Sequence, residues 1–392
     1  MDTRRNDDTR DLKTPGGIVV PWLEKTADNY LDKTTFIFGG TGSGKSTIIE
    51  EILYLCKDYI PNYLAIAPEN SRETYSNKLP KSCIKDDLTK QKLQQIWQRQ
   101  TNATAIYKTA NNPETLKRLF CKAPDRESLV AVTAIQRTAL AKISEIEQTV
   151  ADFAQRRGQI NNIHVMRDKK IIAIYKKTIR QYKDYLMKQD LTLEEKTTLN
   201  FLDFNPRFML IIDDCSEMMR RWNNYFGKNE SNVFEQILYK GRHNFITLVF
   251  ACHDDKLIGT ELRKGARVVF YTSSQSLVAA LNKNGNGYSP KEKKQFMEVA
   301  DFLFHDENEE FKTHKKFCYM RESNNPLKYT IAKKYDNFSL ACDPLKELVD
   351  KLPKREDQLV NNPFIQEFVP EQKKPKITNV IAKKKKPRLR YE

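Results

Sequence analysis

The sequence predicts an α/β fold built on a mostly parallel sheet, and three observations carry that prediction. A short apolar strand, a glycine-rich turn and a helix follow one another over residues 34–50, TTFIFGGTGSGKSTIIE. A second apolar strand comes directly after that helix, giving the strand–helix–strand order from which parallel sheets are built. A third apolar run, Met209-Leu210-Ile211-Ile212, ends in two acids, Asp213 and Asp214.

Taken in order, residues 18–33 (IVVPWLEKTADNYLDK) form a lead-in with an apolar patch and a short helix, closing an N-terminal segment 1–33. The first strand is Thr35-Phe36-Ile37-Phe38, and a helix opens at Lys45. Between them lies G-x-x-x-x-G-K-[ST], written here Gly39-Gly40-Thr41-Gly42-Ser43-Gly44-Lys45-Ser46, with Thr47 next. Glycines let such a loop wrap a polyphosphate with its N–H groups turned inward. The helix start adds its positive dipole end. Lys45 is placed to reach the β- and γ-phosphates, and the Ser46 hydroxyl to ligate Mg²⁺. The pattern predicts a site for a nucleoside triphosphate, with ATP and Mg²⁺ as cofactors.

The helix from Lys45 to about Asp58 carries Ile48, Ile49, Ile52, Leu53 and Leu55, an apolar stripe suited to lie on a sheet. Pro61 interrupts, and residues 62–67 (NYLAIA) read as a buried strand ending at Pro68. From about Asp86 to Asn200 helical signals replace strand signals. One run places Val132, Ala139, Ile143, Ile146, Val150 and Phe153 at helical spacing; a second has Ile172, Tyr175, Ile179, Tyr182 and Leu186. Residues 157–168 (RGQINNIHVMRD) lie between, with a glycine and paired asparagines suited to a turn. The expectation is a coiled-coil-like helical hairpin, inserted at 86–200 into a core made of 34–85 and 201–350. Its basic residues, among them Arg156, Arg157, Arg167, Lys169, Lys170, Lys176, Lys177 and Arg180, read as a solvated helical face in preference to a DNA-contacting arm.

Strands return at 207–212, 245–251 and 267–271, with helices at 233–239, 276–283 and about 291–303. Two short strands at 316–320 and 327–332 read as an edge hairpin. Residues 351–392 are proline-punctuated and end in KKPKITNVIAKKKKPRLRYE, a basic tail whose composition predicts disorder. Its KKKKPRLR core suits an import signal or a DNA-binding arm.

In open α/β sheets ligands bind beyond the carboxyl ends of the strands, where Asp213 and Asp214 fall. Asp213 is placed to hold Mg²⁺ through its water shell. Asp214 is placed to orient and deprotonate an attacking water. The strand at 245–251 leads through Cys252 to His253, a polar tip suited to sense the γ-phosphate. Arg242, Arg267 and Arg263 are the arginines able to reach a neighbour's nucleotide, where a guanidinium stabilises transition-state charge.

Four segments together carry a family resemblance: GGTGSGKST, LIIDDCSEM, GRHNFITLVFACH and IGTELRKGARVVFY. They resemble the genome-packaging ATPases of large eukaryotic DNA viruses, the poxvirus-type members of the FtsK–HerA superfamily. The likeness covers residues 34–70 and about 205–285. Family members usually carry a glutamine where this chain has His253. The resemblance implies a RecA-like P-loop NTPase sheet with the P-loop strand central, a homo-oligomeric ring, a capsid or packaging-vertex partner, and double-stranded DNA driven through the pore by ATP hydrolysis. It implies a virion or host-interior location, with the nucleus open to it through the basic tail.

Composition agrees with that expectation independently. The net charge is +16 and the pI about 9.3, a balance suited to a polyanionic partner such as nucleic acid. Nothing reaches the roughly 18 consecutive apolar residues of a membrane span, and the charged start lacks the apolar core of a secretory signal. Seven scattered cysteines without a C-x-x-C pair predict neither a disulfide framework nor structural zinc. Two other readings stand beside the packaging motor. A phage-type terminase would add a nuclease rich in acidic metal ligands, but after residue 285 the acids gather mainly in one run, HDENEE. A non-hydrolysing virion component would not need Lys45, Ser46, Asp213 and Asp214 intact.

Overall fold

The computed structural model describes residues 11–215, 218, 233–253, 265–282, 288–304, 315–335 and 338–340. Arg263, the HDENEE run and the basic tail lie outside these residues. The expected strands form along the apolar runs: β3 (Thr34–Phe38), β4 (Asn62–Ile66), β6 (Phe208–Asp213), β7 (Ile246–Cys252) and β8 (Val268–Tyr271). Two two-residue strands, β1 (Leu12–Lys13) and β2 (Val19–Val20), pair with each other, and β5 (Ile84–Lys85) extends one edge of the main sheet. The hairpin β9 (Lys315–Met320) and β10 (Leu327–Ile331) extends the other.

Among the described residues the main sheet has eight strands in the order β10-β9-β8-β3-β7-β6-β4-β5. The six strands from β8 to β5 run parallel, and β9 and β10 are antiparallel additions. The P-loop strand is thus central, flanked by β7 and β8, with the strand ending in two acids one place further out. This is the RecA-like α/β arrangement that the resemblance implied.

Both faces of the sheet are covered, which is why its parallel strands are apolar throughout rather than alternating. On one face Phe36, Leu210, Leu248, Phe250 and Val269 pack against α9 (Val233–Lys240), α10 (Ser274–Leu281) and α11 (Pro290–Phe304). On the other, Ile37, Met209, Ile211, Val249 and Phe270 receive Ile48, Ile49, Ile52 and Leu53 of α1 (Lys45–Cys56). A four-residue helix, α2 (Glu73–Ser76), buries Tyr75 against this second face.

Six helices lie between β5 and β6: α3 (Lys90–Ala110), α4 (Pro113–Lys122), α5 (Arg126–Thr149), α6 (Phe153–Gln181), α7 (Lys183–Leu186) and α8 (Leu193–Phe201). They enclose a separate apolar cluster that includes Leu116, Phe120, Val132, Ile171, Tyr175, Ile179 and Leu199. α3 ties them to the sheet, burying Leu93 in the main core while Gln100 Nε2 donates to the Asn244 carbonyl at 2.8 Å.

The long pair α5 and α6 departs from expectation in its turn, which falls at residues 150–152 and not at 157–168. Asp152 caps α6, its carboxylate accepting from the Gln155 N–H at 2.6 Å, and the Arg156 guanidinium donates to the Val150 carbonyl at 2.8 Å. Gly158 and the two asparagines sit inside α6. Their intrinsic penalty of about 1 kcal/mol or less each is small beside the cooperativity of a 29-residue helix. Phe153, expected on the apolar seam of the first helix, instead opens the second and is 73% exposed. Of the basic residues on this pair, Arg180 pairs with Asp203 and Arg167 with Asp168, while Lys169, Lys170 and Lys177 are exposed.

Candidate nucleotide site

The site follows from strand register. Phe38 pairs with Cys252 on one side and Tyr271 on the other, and Asp213 stands level with Ala251. Gly39, Asp213, Asp214 and His253 therefore leave the sheet at one edge, beside the N-terminus of α1. The loop closes tightly. Gly42 and Gly44 take φ of 71° and 91°, the left-handed region in which a side chain is strained. A Cβ on Gly39 would collide with the Thr272 hydroxyl and lie 2.6 Å from Ser43 Oγ. Gly39→Ala is expected to lower folding stability by about 1–3 kcal/mol through overpacking, measured by urea unfolding.

Lys45 opens α1 and is buried to 8% exposure. Its Nζ donates to the carbonyls of Gly39 at 2.8 Å and Gly40 at 2.9 Å, and lies 3.3 Å from His253 Nδ1. The ring's other nitrogen, Nε2, is 2.8 Å from one oxygen of Asp214 and 3.0 Å from the other. The two partners fix the tautomer: an ammonium donates to Nδ1, so Nε2 carries the proton and donates to the carboxylate. His253 thus links the lysine expected to bind phosphate to the acid expected to activate water. Burial pushes the Lys45 ammonium below its ordinary pKa, and the nearby Asp214 and Asp213 carboxylates oppose that shift.

Asp213 is 2% exposed and accepts a hydrogen bond from the Tyr75 hydroxyl at 2.9 Å. Burial raises its pKa; the Tyr75 hydrogen bond acts the other way, and the neighbouring Asp214 adds to the rise. Asp214 has different surroundings. It is partly open, has φ of 54°, and its N–H donates to the Ala251 carbonyl at 3.1 Å. The left-handed turn at Asp214 separates the two carboxylates, one buried under Tyr75 and the other facing His253.

Sequence reasoning missed Tyr75. It lies in ETYSNKL, which has neither strand alternation nor a helical stripe. Tyr75→Phe removes the donor from a buried carboxylate and is expected to cost about 1–3 kcal/mol of folding stability, read from the urea midpoint.

Among the described residues no group of three or more His, Cys, Asp or Glu side chains is arranged to hold a metal alone. Mg²⁺ does not need one, since it takes one or two protein oxygens beside waters and phosphates. The Ser46 hydroxyl and the Asp213 carboxylate are hard oxygen donors of that kind. They fit the ion.

Arg242 and Arg267 are not brought to this edge. Arg242 precedes β7 and Arg267 precedes β8, so both stand at the opposite ends of parallel strands, at about 3.3 Å per residue more than about 20 Å away along the seven residues of β7 and about 13 Å away along the four of β8. There both reach one carboxylate, Glu322, at 3.5 Å from Arg242 and 2.9 Å from Arg267. Neither arginine can serve its own chain's P-loop.

No protein-family model matches the chain. Protein B354L of African swine fever virus (isolate Pig/Kenya/KEN-50/1950), itself described as uncharacterized, is 30% identical over 325 residues, covering 79% of this chain and 84% of that protein. The B354L protein of the Badajoz 1971 strain is 29% identical over 328 residues, 80% and 85% of the two chains. Among solved structures, the genome packaging NTPase B204 from Sulfolobus turreted icosahedral virus 2, in complex with AMP, shares 10% identity. It covers 78% of this chain and 98% of its own, at a TM-score of 0.36.

Proposed function

The chain belongs to the family of the African swine fever virus B354L proteins, and we propose that it is a packaging ATPase of the FtsK–HerA type. In this reading it hydrolyses ATP with Mg²⁺ and drives double-stranded DNA into a capsid. The observation that carries the reading is the linkage of Lys45, His253 and Asp214 at the sheet edge where the P-loop opens, with Asp213 buried beside them. Lys45 and the loop N–H groups bind the β- and γ-phosphates. Ser46 and Asp213 would hold Mg²⁺, which would supply charge neutralisation at the phosphates. Asp214 orients water and accepts its proton, and His253 couples the state of the γ-phosphate to that carboxylate.

The chain works as a ring in which one subunit's Arg242 or Arg267 completes the neighbour's site. Supporting this is their place at the end of the sheet opposite the P-loop, out of reach of their own chain's nucleotide site. Arg242→Ala is expected to bind ATP normally and hydrolyse it slowly, and mixing it with Lys45→Ala should restore turnover at mixed interfaces. Unchanged inactivity in rings shown to be mixed would remove the shared-site model. The partners are DNA along the pore and a protein of the capsid vertex, inside the virion or the host cell, with entry to the nucleus through the tail. No described helix is long and apolar enough to cross a membrane. The motor itself is tested by ATP-dependent displacement of a third strand from a DNA triplex. The expected result is displacement that stops with ATPγS; displacement at the same rate without ATP would refute translocation.

A further inference from the structure

A second lysine faces the P-loop, from the flank opposite the two acids. β9 runs antiparallel to β8 with Phe317 paired to Tyr271, so Lys316 stands at the end of the sheet from which the loop emerges. Its Cε and Nζ lie 3.4 and 3.6 Å from the position a Cβ on Gly44 would take. The residue is 8% exposed, yet among the described residues no carboxylate or carbonyl pairs with its ammonium. Burial pushes its pKa down. A largely buried cation that opens beside the P-loop is well placed to meet an anion there.

What it faces is a hollow of about 830 Å³, within the range of small-ligand pockets. Gly44, Thr47, Thr272, Gln275 and Phe304 line it together with Lys316. The strand order puts this hollow on the β8–β9 side of the loop, whereas Asp213, Asp214 and His253 stand on the β6–β7 side. A nucleotide with its γ-phosphate at the acids therefore runs its other end into the hollow. Phe304 offers a ring for a base to stack on, and the Gln275 amide offers both donor and acceptor.

We propose that Lys316 is a second nucleotide-binding cation, holding the α-phosphate side of a nucleoside di- or triphosphate whose sugar and base occupy the hollow beside Phe304. The inference rests on the P-loop being a nucleotide site. It adds a division of labour: Lys45 serves the phosphates that change during hydrolysis, and Lys316 those that do not. Lys316 is therefore blind to the γ-phosphate.

The test titrates the full chain with a fluorescent ADP and with ATPγS, comparing wild type, Lys316→Met and Lys316→Arg. Methionine keeps most of the stem and removes the charge. Lys316→Met is expected to weaken both ligands equally, by about ten- to a hundredfold, the range for losing a hydrogen bond to a charged group. Lys316→Arg recovers part of the loss. Without nucleotide, Lys316→Met should melt no lower than wild type, because the charge on a largely buried side chain is gone. Wild-type affinity in Lys316→Met overturns the proposal while leaving the P-loop reading intact. So does a loss of affinity that comes with a lower melting temperature and is not recovered by arginine. If the wild-type chain binds neither nucleotide, the proposal and the ATPase reading fall together.

Discussion

Lys45→Ala is expected to lose ATP turnover to the assay background and to weaken ATPγS binding by about a hundredfold or more. In the proposed complex the side chain makes charge-assisted contacts to two phosphates, and each such bond is worth about 1.5–3 kcal/mol. In the chain its ammonium is held by the Gly39 and Gly40 carbonyls and by His253. Two of the contacts lie within the loop and the third is a side-chain contact at the tip of β7, so the fold should persist. Calorimetric titration gives the binding term and circular dichroism the control. A folded Lys45→Ala protein that hydrolyses ATP at the wild-type rate would place the site elsewhere.

Asp214→Asn should separate binding from chemistry. Asparagine is well matched to the position on two counts. It tolerates the left-handed φ of 54° almost as aspartate does, and its amide oxygen can still accept from His253 Nε2. What it loses is basicity. ATPγS affinity is therefore expected to stay near wild type while ATP turnover falls about 10²- to 10⁴-fold, the usual contribution of a general base. Asp214→Ala would be a poorer test, since it strains the turn and frees His253 at once. Undiminished turnover in Asp214→Asn would move the base to another acid, and Glu69, exposed just beyond the end of β4, is the next in line.

Much of the sheet was readable because its strands are buried on both faces. Runs such as FMLIID and ITLVFAC carry so little polarity that strand was the natural reading, and each is now a sheet member. The edge hairpin at 315–331 showed itself in the same way. The two-residue strands β1, β2 and β5 left no such trace, because pairs of residues carry no period. The turn of the long helical pair was misplaced for a different reason. Glycine and asparagine mark turns only when nothing outweighs them, and Asp152 supplied a cap five residues before Arg157.

In the site, Lys45, Asp213, Asp214 and His253 are named by motif and strand end, and the structure places them together. The link through His253 was not readable, since 208 positions separate it from Lys45 and only the β3–β7 register joins them. Tyr75, Glu322 and Lys316 were invisible for the same reason. Each is a polar or aromatic residue in an unremarkable stretch, and its role comes from what the sheet brings beside it.

The central claim is that this site hydrolyses ATP in the service of moving DNA. Steady-state ATP hydrolysis by the full chain, with and without double-stranded DNA, tests it most directly, with Lys45→Ala as the blank. The account predicts Mg²⁺-dependent turnover that rises when DNA is added and disappears in Lys45→Ala. Turnover unchanged by DNA, or equal in Lys45→Ala, would contradict it.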